Sequence, residues 1–462
     1  MIRPHGSPLA AAGASAVSVL ALAAGTAHAQ VLQAPRRAAE FTVPRTSETP
    51  LSTSLIINAA ALGGYDDNVS EGGDLAQPGA PPVATGAGGV FQFTGGLDYR
   101  RSKGRSGITF GAHGSGITYS GVNLESSGSA DGTFSGFTSL GRGNTLSVTE
   151  AVTYESLYAL GALAPIDDPI QAPGELPTGG GVEGLLRQRS WASDSGIALS
   201  RQWSRRNETS VDYNYNRRTF LGNDGETSSA HTASASYTRT LSRTATASAN
   251  YGFSTAEYAG AFTEGPTRPV DSHNIDGTVN FTKRISPRRS LYFGFGGGAS
   301  RIETVSTDAL LPYAYWAPTA SVDTRLDLSM TWTLSGNFRR TTTAFQGLNN
   351  ETFLSDIFGI SVGGPVNDRL SLVLSTGGAR GDVDASAAGT GSYTTGTAAV
   401  LVSLRLTRTL AASAQYSYYN YQFSDDTPLA EGVPQEFNRN AVRAGLTLAL
   451  PLNGRQARTP RP

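Results

Sequence analysis

Long stretches of this chain change polarity at every residue, and that alternation restricts its possible folds more than any other feature. In Val211-Asp212-Tyr213-Asn214-Tyr215-Asn216 apolar and polar side chains swap at each step. Phe91, Phe93, Leu97 and Tyr99 share one side, and Gln92, Thr94, Asp98 and Arg100 the other. Ala245, Ala247, Ala249, Tyr251 and Phe253 oppose Thr246, Ser248 and Asn250, and Ile275, Val279 and Phe281 oppose Asp276, Thr278, Asn280 and Thr282. Trp332, Leu334 and Phe338 oppose Thr333, Ser335, Asn337 and Arg339, while Val442, Ala444, Leu446, Leu448 and Leu450 make a last apolar face. A β-strand points successive side chains to opposite sides, so each segment is a strand with one greasy face and one wet face.

A soluble sandwich alternates too, but its strands run to about 5 or 6 residues. The segments here are about twice that, long enough for a tilted strand crossing the ~9–11 residues of a lipid core. The connections also sort into two kinds. Short, arginine-containing ones fall at residues 101–105, 141–144, 204–207, 242–243, 286–289 and 407–409. Longer ones rich in Gly, Pro and Asp fall at 66–86, 159–187, 259–271, 385–391 and 425–436. Membrane barrels alternate short periplasmic turns with longer outer loops. The expected fold is therefore all-β: a transmembrane antiparallel up-and-down barrel of about 18 strands, with 16 to 20 open. Strand centres are expected near residues 59, 94, 112, 134, 151, 197, 213, 235, 251, 279, 295, 320, 338, 359, 375, 400, 416 and 444. An even count puts both termini on the periplasmic side. Tyr99, Tyr119, Trp191, Trp203, Tyr258, Tyr292, Tyr313, Tyr315, Trp316, Tyr421 and Phe423 lie near strand ends and are expected to form interfacial girdles.

Composition agrees. Mean hydropathy is -0.22, too polar for a helical membrane bundle but suited to a barrel that shows lipid every second side chain. No segment beyond the N-terminus has the run of 18 or more apolar residues that a membrane helix needs. The net charge of -1 argues against nucleic acid as a partner. The chain has no cysteine, which excludes disulfides, thiolate nucleophiles and cysteine metal sites. Residues 1–29 read as a signal peptide: Arg3, an apolar run from Leu9 to Ala24, and Ala27-His28-Ala29 as the cleavage pattern. Residues 30–53, with Pro35, Pro44 and Pro50, read as a periplasmic lead-in, 54–450 as the barrel, and 451–462 as a periplasmic tail.

The segment Leu62-Gly63-Gly64-Tyr65-Asp66-Asp67-Asn68-Val69 ends the first expected strand. Its Tyr65, Asp66, Asp67 and Asn68 resemble the aromatic-Asp-Asn start of the beta-barrel porin 2 family of proteobacterial outer-membrane barrels. The resemblance covers about eight residues by motif, and the whole mature chain by its pattern of long strands and tight Arg-containing turns. It departs at the C-terminus, where a proline-containing basic tail stands in place of a terminal aromatic. It implies a porin-like or surface role in the outer membrane, sometimes near exopolysaccharide export, and transfers no catalytic residues.

Little points to chemistry. His113, His231 and His273 fall on separate strands without metal-ligand spacing, so no metal, cofactor or enzymatic activity is expected. The pairs Asp66-Asp67, Asp167-Asp168 and Asp425-Asp426 fall in expected outer loops, as solvated carboxylates or divalent-ion contacts. The glycines at 294 and 296–298 precede no helix and imply no phosphate loop. Asp98, Arg100, Asp212, Arg218, Asp276, Arg284, Arg339, Arg405 and Arg443 are expected to face the lumen, either setting pore selectivity or bracing the interior. The functional expectation is a channel for small polar solutes or glycans, with loop 159–187 as constriction or cap. The alternative is a closed scaffold binding a surface polymer. Expected partners are outer-membrane lipid and lipopolysaccharide, the barrel assembly machinery, and a polysaccharide or small polar solutes.

Overall fold

The computed structural model describes residues 53–70, 85–103, 105–121, 126–141, 143–155, 189–221, 227–258, 268–305, 312–329, 331–344, 352–383, 391–427 and 435–454. The signal peptide, the lead-in and loop 159–187 lie outside them. The strands are β1 (Thr53–Ser70), β2 (Thr85–Lys103), β3 (Ser106–Ser120), β4 (Ser127–Ser139), β5 (Asn144–Glu155) and β6 (Arg189–Gln202). They continue with β7 (Asn207–Leu221), β8 (Thr227–Thr240), β9 (Ala245–Tyr258), β10 (Arg268–Ser286), β11 (Arg289–Val305) and β12 (Pro312–Asp327). The last six are β13 (Thr333–Ala344), β14 (Thr352–Pro365), β15 (Leu370–Val383), β16 (Ser392–Arg405), β17 (Leu410–Phe423) and β18 (Glu436–Gly454). Each of the expected strand centres falls inside the corresponding strand.

Every strand pairs antiparallel with its sequence neighbours, and β1 pairs with both β2 and β18, so the sheet closes on itself. Closure removes the unpaired edge that an open sheet would expose. Followed perpendicular to the strands once around, the register climbs β1 by about 22 residues. With ordinary strand spacing this stagger means a tilt of about 40° and roughly 36 Å between opposite backbones. Such a cylinder leaves a lumen rather than a packed core.

The outer wall is apolar. Tyr65, Phe91, Phe93, Ile108, Phe110, Val211, Ile275, Phe295, Phe358, Ile360, Val442 and Leu446 are all well exposed on it. The registers put them on one face in unbroken rows, as in Tyr65↔Val442 and Phe338↔Phe358. The inner wall carries Ser, Thr, Asn and charge. Hydroxyls pair across neighbouring strands: Ser210 with Ser236 at 2.6 Å, Ser254 with Ser272 at 2.7 Å, and Ser115 with Ser129 at 2.7 Å.

The short turns share a local device. Ser204, Ser242, Ser329, Asn367 and Thr407 each stand at the head of a turn and accept hydrogen bonds from backbone N–H groups two or three residues on. A side-chain oxygen in this position imitates a backbone turn and closes the hairpin in few residues.

Three expectations are corrected. Asp66 and Asp67 are not loop carboxylates; both lie within β1, which needs its last turns to seal against β18. The C-terminal tail does not start at Pro451. β18 continues to Gly454, and a register shift between Leu55 and Ile56, opposite Pro451, accommodates a residue with no N–H to donate. The aromatics also divide. Trp191 and Trp316 stand exposed on the outer wall, but Tyr119, Tyr292, Tyr315, Tyr421 and Phe423 have inward parity, and Tyr421 and Phe423 are buried. Proximity to a strand end does not decide the face; parity does.

Candidate functional site: the inner wall

The site is the lumen surface, and parity assembles it. On β2 the even residues face in, because Asn58, on the inner face of β1, donates from Nδ2 to Asp98 at 3.0 Å. The ring nitrogens of His113 on β3 lie 3.1 Å from Asp131 and 3.3 Å from Asp98, with all three side chains largely buried. Further round, Asp194 accepts from Asn216 at 3.4 Å, Asp212 from Ser234 at 2.6 Å, and Asp276 from Asn250 at 2.8 Å. Asp323 on β12 completes the arc. Asp98, Asp131, Asp194, Asp212 and Asp276 thus sit beside neutral donors or a histidine, while Asp323 lies diagonal to Arg339 on the neighbouring strand.

The arginines lie elsewhere. Arg339 on β13 pairs in register with Ser321 and faces in, and Arg443 on β18 donates to Gln92 at 3.0 Å. Arg218 is buried and donates to Ser190 at 3.1 Å near the long-connection end. Arg284 donates to the Pro287 carbonyl at 3.3 Å, and Arg405 to the Asp368 carbonyl, both beside short turns. Arg100 has inward parity and is exposed near the same rim. At mid-height, therefore, acids occupy the wall from β2 to β12, and Arg339 and Arg443 occupy the remainder. Sequence reading missed Asp131, Asp194 and Asp323, and named His113 without placing it among the inner-wall acids. The signal was the same period of two, blurred in β4 and β6 by glycine and serine on the outer face.

The Tyr65–Asn68 motif forms a seam clamp. Tyr65 is exposed on the outer wall, while Asp66 is fully buried and paired with Arg439 of β18. Asp67 accepts from the backbone N–H and Nδ2 of Asn440, both at 2.6 Å, and Asn68 donates to the Asn438 carbonyl at 2.5 Å. The side chains of three consecutive residues, Asp66, Asp67 and Asn68, thus tie the first strand to the last at the long-connection rim.

Inward side chains toward that rim are buried around the circumference, among them Val90, Thr153, Ser190, Asn216, Ser228, Ser254, Ser300, Ser355, Tyr393 and Tyr421. Toward the short turns inward side chains are buried too, among them Asn58, Ser210, Ser335, Ser361, Ala411 and Ala449, whereas Arg325 has 59% side-chain exposure. Among the described residues no group of three or more His, Asp or Glu is placed to hold a metal ion.

No family model matches the chain, and no curated protein matches it. Solved structures do. OccAB4 of Acinetobacter baumannii is 10% identical over 87% of this chain and 100% of its own, at a TM-score of 0.45. The FrpB iron transporter of Neisseria meningitidis is 8% identical over 90% and 83%, at 0.46. OpdK of Pseudomonas aeruginosa, solved with vanillate, is 10% identical over 86% and 98%, at 0.42. At these values they are similar barrels and say nothing of what this chain carries.

Proposed function

We propose that this chain is an outer-membrane channel for small polar solutes. One observation carries the reading: a closed barrel with an apolar outer wall encloses a hydroxyl-lined inner wall whose charges are divided, acids on one arc and Arg339 and Arg443 on the other. Apolar residues facing out suit lipid, and polar residues facing in suit water and solute. Divided charge sets a transverse field that orients and selects ions and polar molecules. The connection between β5 and β6, which holds residues 159–187, is the longest and is proposed as the constriction or cap.

On this reading the short turns face the periplasm, residues 1–29 are removed on export, and lipid, lipopolysaccharide and the assembly machinery are the partners. No catalytic role is assigned. The Tyr65–Asn68 clamp fits the aromatic-Asp-Asn start of the beta-barrel porin 2 family, and membership of that family is part of the proposal. Planar-bilayer recording of the purified protein tests the channel. Discrete conductance steps are expected, larger in a variant lacking residues 162–182. Silence from both proteins, each shown to be folded, would refute the reading.

A further inference from the structure

β5 carries an anomaly on its outer face. Its outward residues are Leu146, Val148, Glu150, Val152 and Tyr154, in register with the outward Phe134 of β4 and Ile197 of β6. Glu150 is therefore a carboxylate in the middle of the apolar belt. Among the described residues, Arg340 also faces out at a similar height, but it is paired with Asp356 at 2.6 Å. Other charged side chains on the outer wall lie toward a rim, among them Arg101, Arg201 and Arg239 near the short turns and Arg217 and Arg301 near the long connections. A carboxylate facing lipid at mid-depth is costly, and ionisable groups there ordinarily have a partner.

Within the described residues Glu150 makes no hydrogen bond or ion pair. Next to it on β6, Ser193 and Ser195 also face out, opposite Val152 and Glu150, and they are equally unpaired. One patch thus presents an acceptor and two hydroxyl donors side by side. On one flank the outer face of β4 falls to Gly128, Ala130 and Gly132. The barrel's own packing does not require glycine at 132, since a Cβ there would meet nothing within 4 Å. On the other flank Tyr213 and Tyr215 of β7 form a ridge, held by His231, whose Nδ1 lies 2.7 Å from the Tyr213 hydroxyl and whose ring lies 4.7 Å from that of Tyr215.

We infer that this wall, β4 to β7, binds a second copy of the chain about a two-fold axis running between β5 and β6. That axis sets Glu150 of each copy against the Ser193 and Ser195 hydroxyls of the other, and lays each Tyr213–Tyr215 ridge into the other's Gly128–Gly132 trough. A two-fold interface must be self-complementary, and this patch has donor with acceptor and ridge with trough. The inference rests on the reading of the outer wall as lipid-facing.

The test uses the full chain in mild detergent, with mass read by light scattering and folding by heat-modifiable electrophoretic mobility. Wild type and Glu150→Gln, which keeps an acceptor, are expected at twice the single-chain mass. Glu150→Val is expected to weaken the dimer about tenfold, the loss of a hydrogen bond to a charged group, with mobility unchanged. Because the chain has no cysteine, Gly132→Cys and Tyr213→Cys copies carrying different tags can be co-expressed. Oxidation should cross-link them, and should not cross-link Gly277→Cys to Ala320→Cys on another part of the outer wall. A wild type that is monomeric, folded and floats with lipid vesicles overturns the interface and leaves the membrane reading standing. A folded chain that does not float overturns the membrane reading, and the interface with it.

Discussion

The ion pair between Asp66 and Arg439 illustrates how much one residue can carry in a closed sheet. Asp66 is fully buried and Arg439 nearly so. Removing one partner leaves an uncompensated buried charge, which costs about 3–5 kcal/mol. Asp66→Ala should therefore lower the urea midpoint of the vesicle-inserted barrel, and Asp66→Ala combined with Arg439→Ala should recover part of the loss. If the two effects simply add, the clamp is not a unit. Gly445 makes a second prediction at the same seam. A Cβ there would lie 1.9 Å from the Ala61 carbonyl oxygen, and backbone cannot swing aside. Gly445→Ala should destabilise by about 1–3 kcal/mol through overpacking, read as a lower melting temperature. Gly132→Ala, on the open outer face, should leave monomer stability nearly unchanged.

Strands were the most legible elements, because a period of two states both the element and its faces. β3, β4 and β14, blurred by glycine or mixed polarity, were harder to see, yet they pair in full register with their neighbours. Turn chemistry was only half read. Arginine marked the short connections, but Ser204, Ser242, Ser329, Asn367 and Thr407 shape them, and only the hydrogen bonds reveal this. Sidedness belongs to this scale. With parity fixed by eighteen strands, residues 205 and 288 lie at one end, and the connections holding residues 171 and 264 span strands at the other. An impermeant maleimide on intact cells should label Gln171→Cys and Glu264→Cys and spare Arg205→Cys and Arg288→Cys. Equal labelling of all four would overturn the proposed membrane topology.

At the scale of the molecule, the lumen's charge division gives the proposed channel a direction of selectivity. Acids outnumber arginines at mid-height, so on that reading it should prefer cations. Replacing Asp194 and Asp276 with Asn should lower the cation-to-anion permeability ratio about twofold or more in bilayers, with conductance largely retained. Replacing Arg339 and Arg443 with Gln should raise it. What the sequence determined alone was local: alternation is a property of neighbouring residues, so strand number, strand centres and the inward parity of Asp98, Asp212, Asp276 and Arg443 could be read along the chain. What only the tertiary structure decided was non-local. The union of β1 with β18, the recruitment of Asp66 and Asp67 from an expected loop into a clamp, the meeting of His113 with Asp98 and Asp131, and the isolation of Glu150 on an apolar wall all depend on stagger and closure. Those arise from pairing between strands, and no single strand's periodicity encodes them.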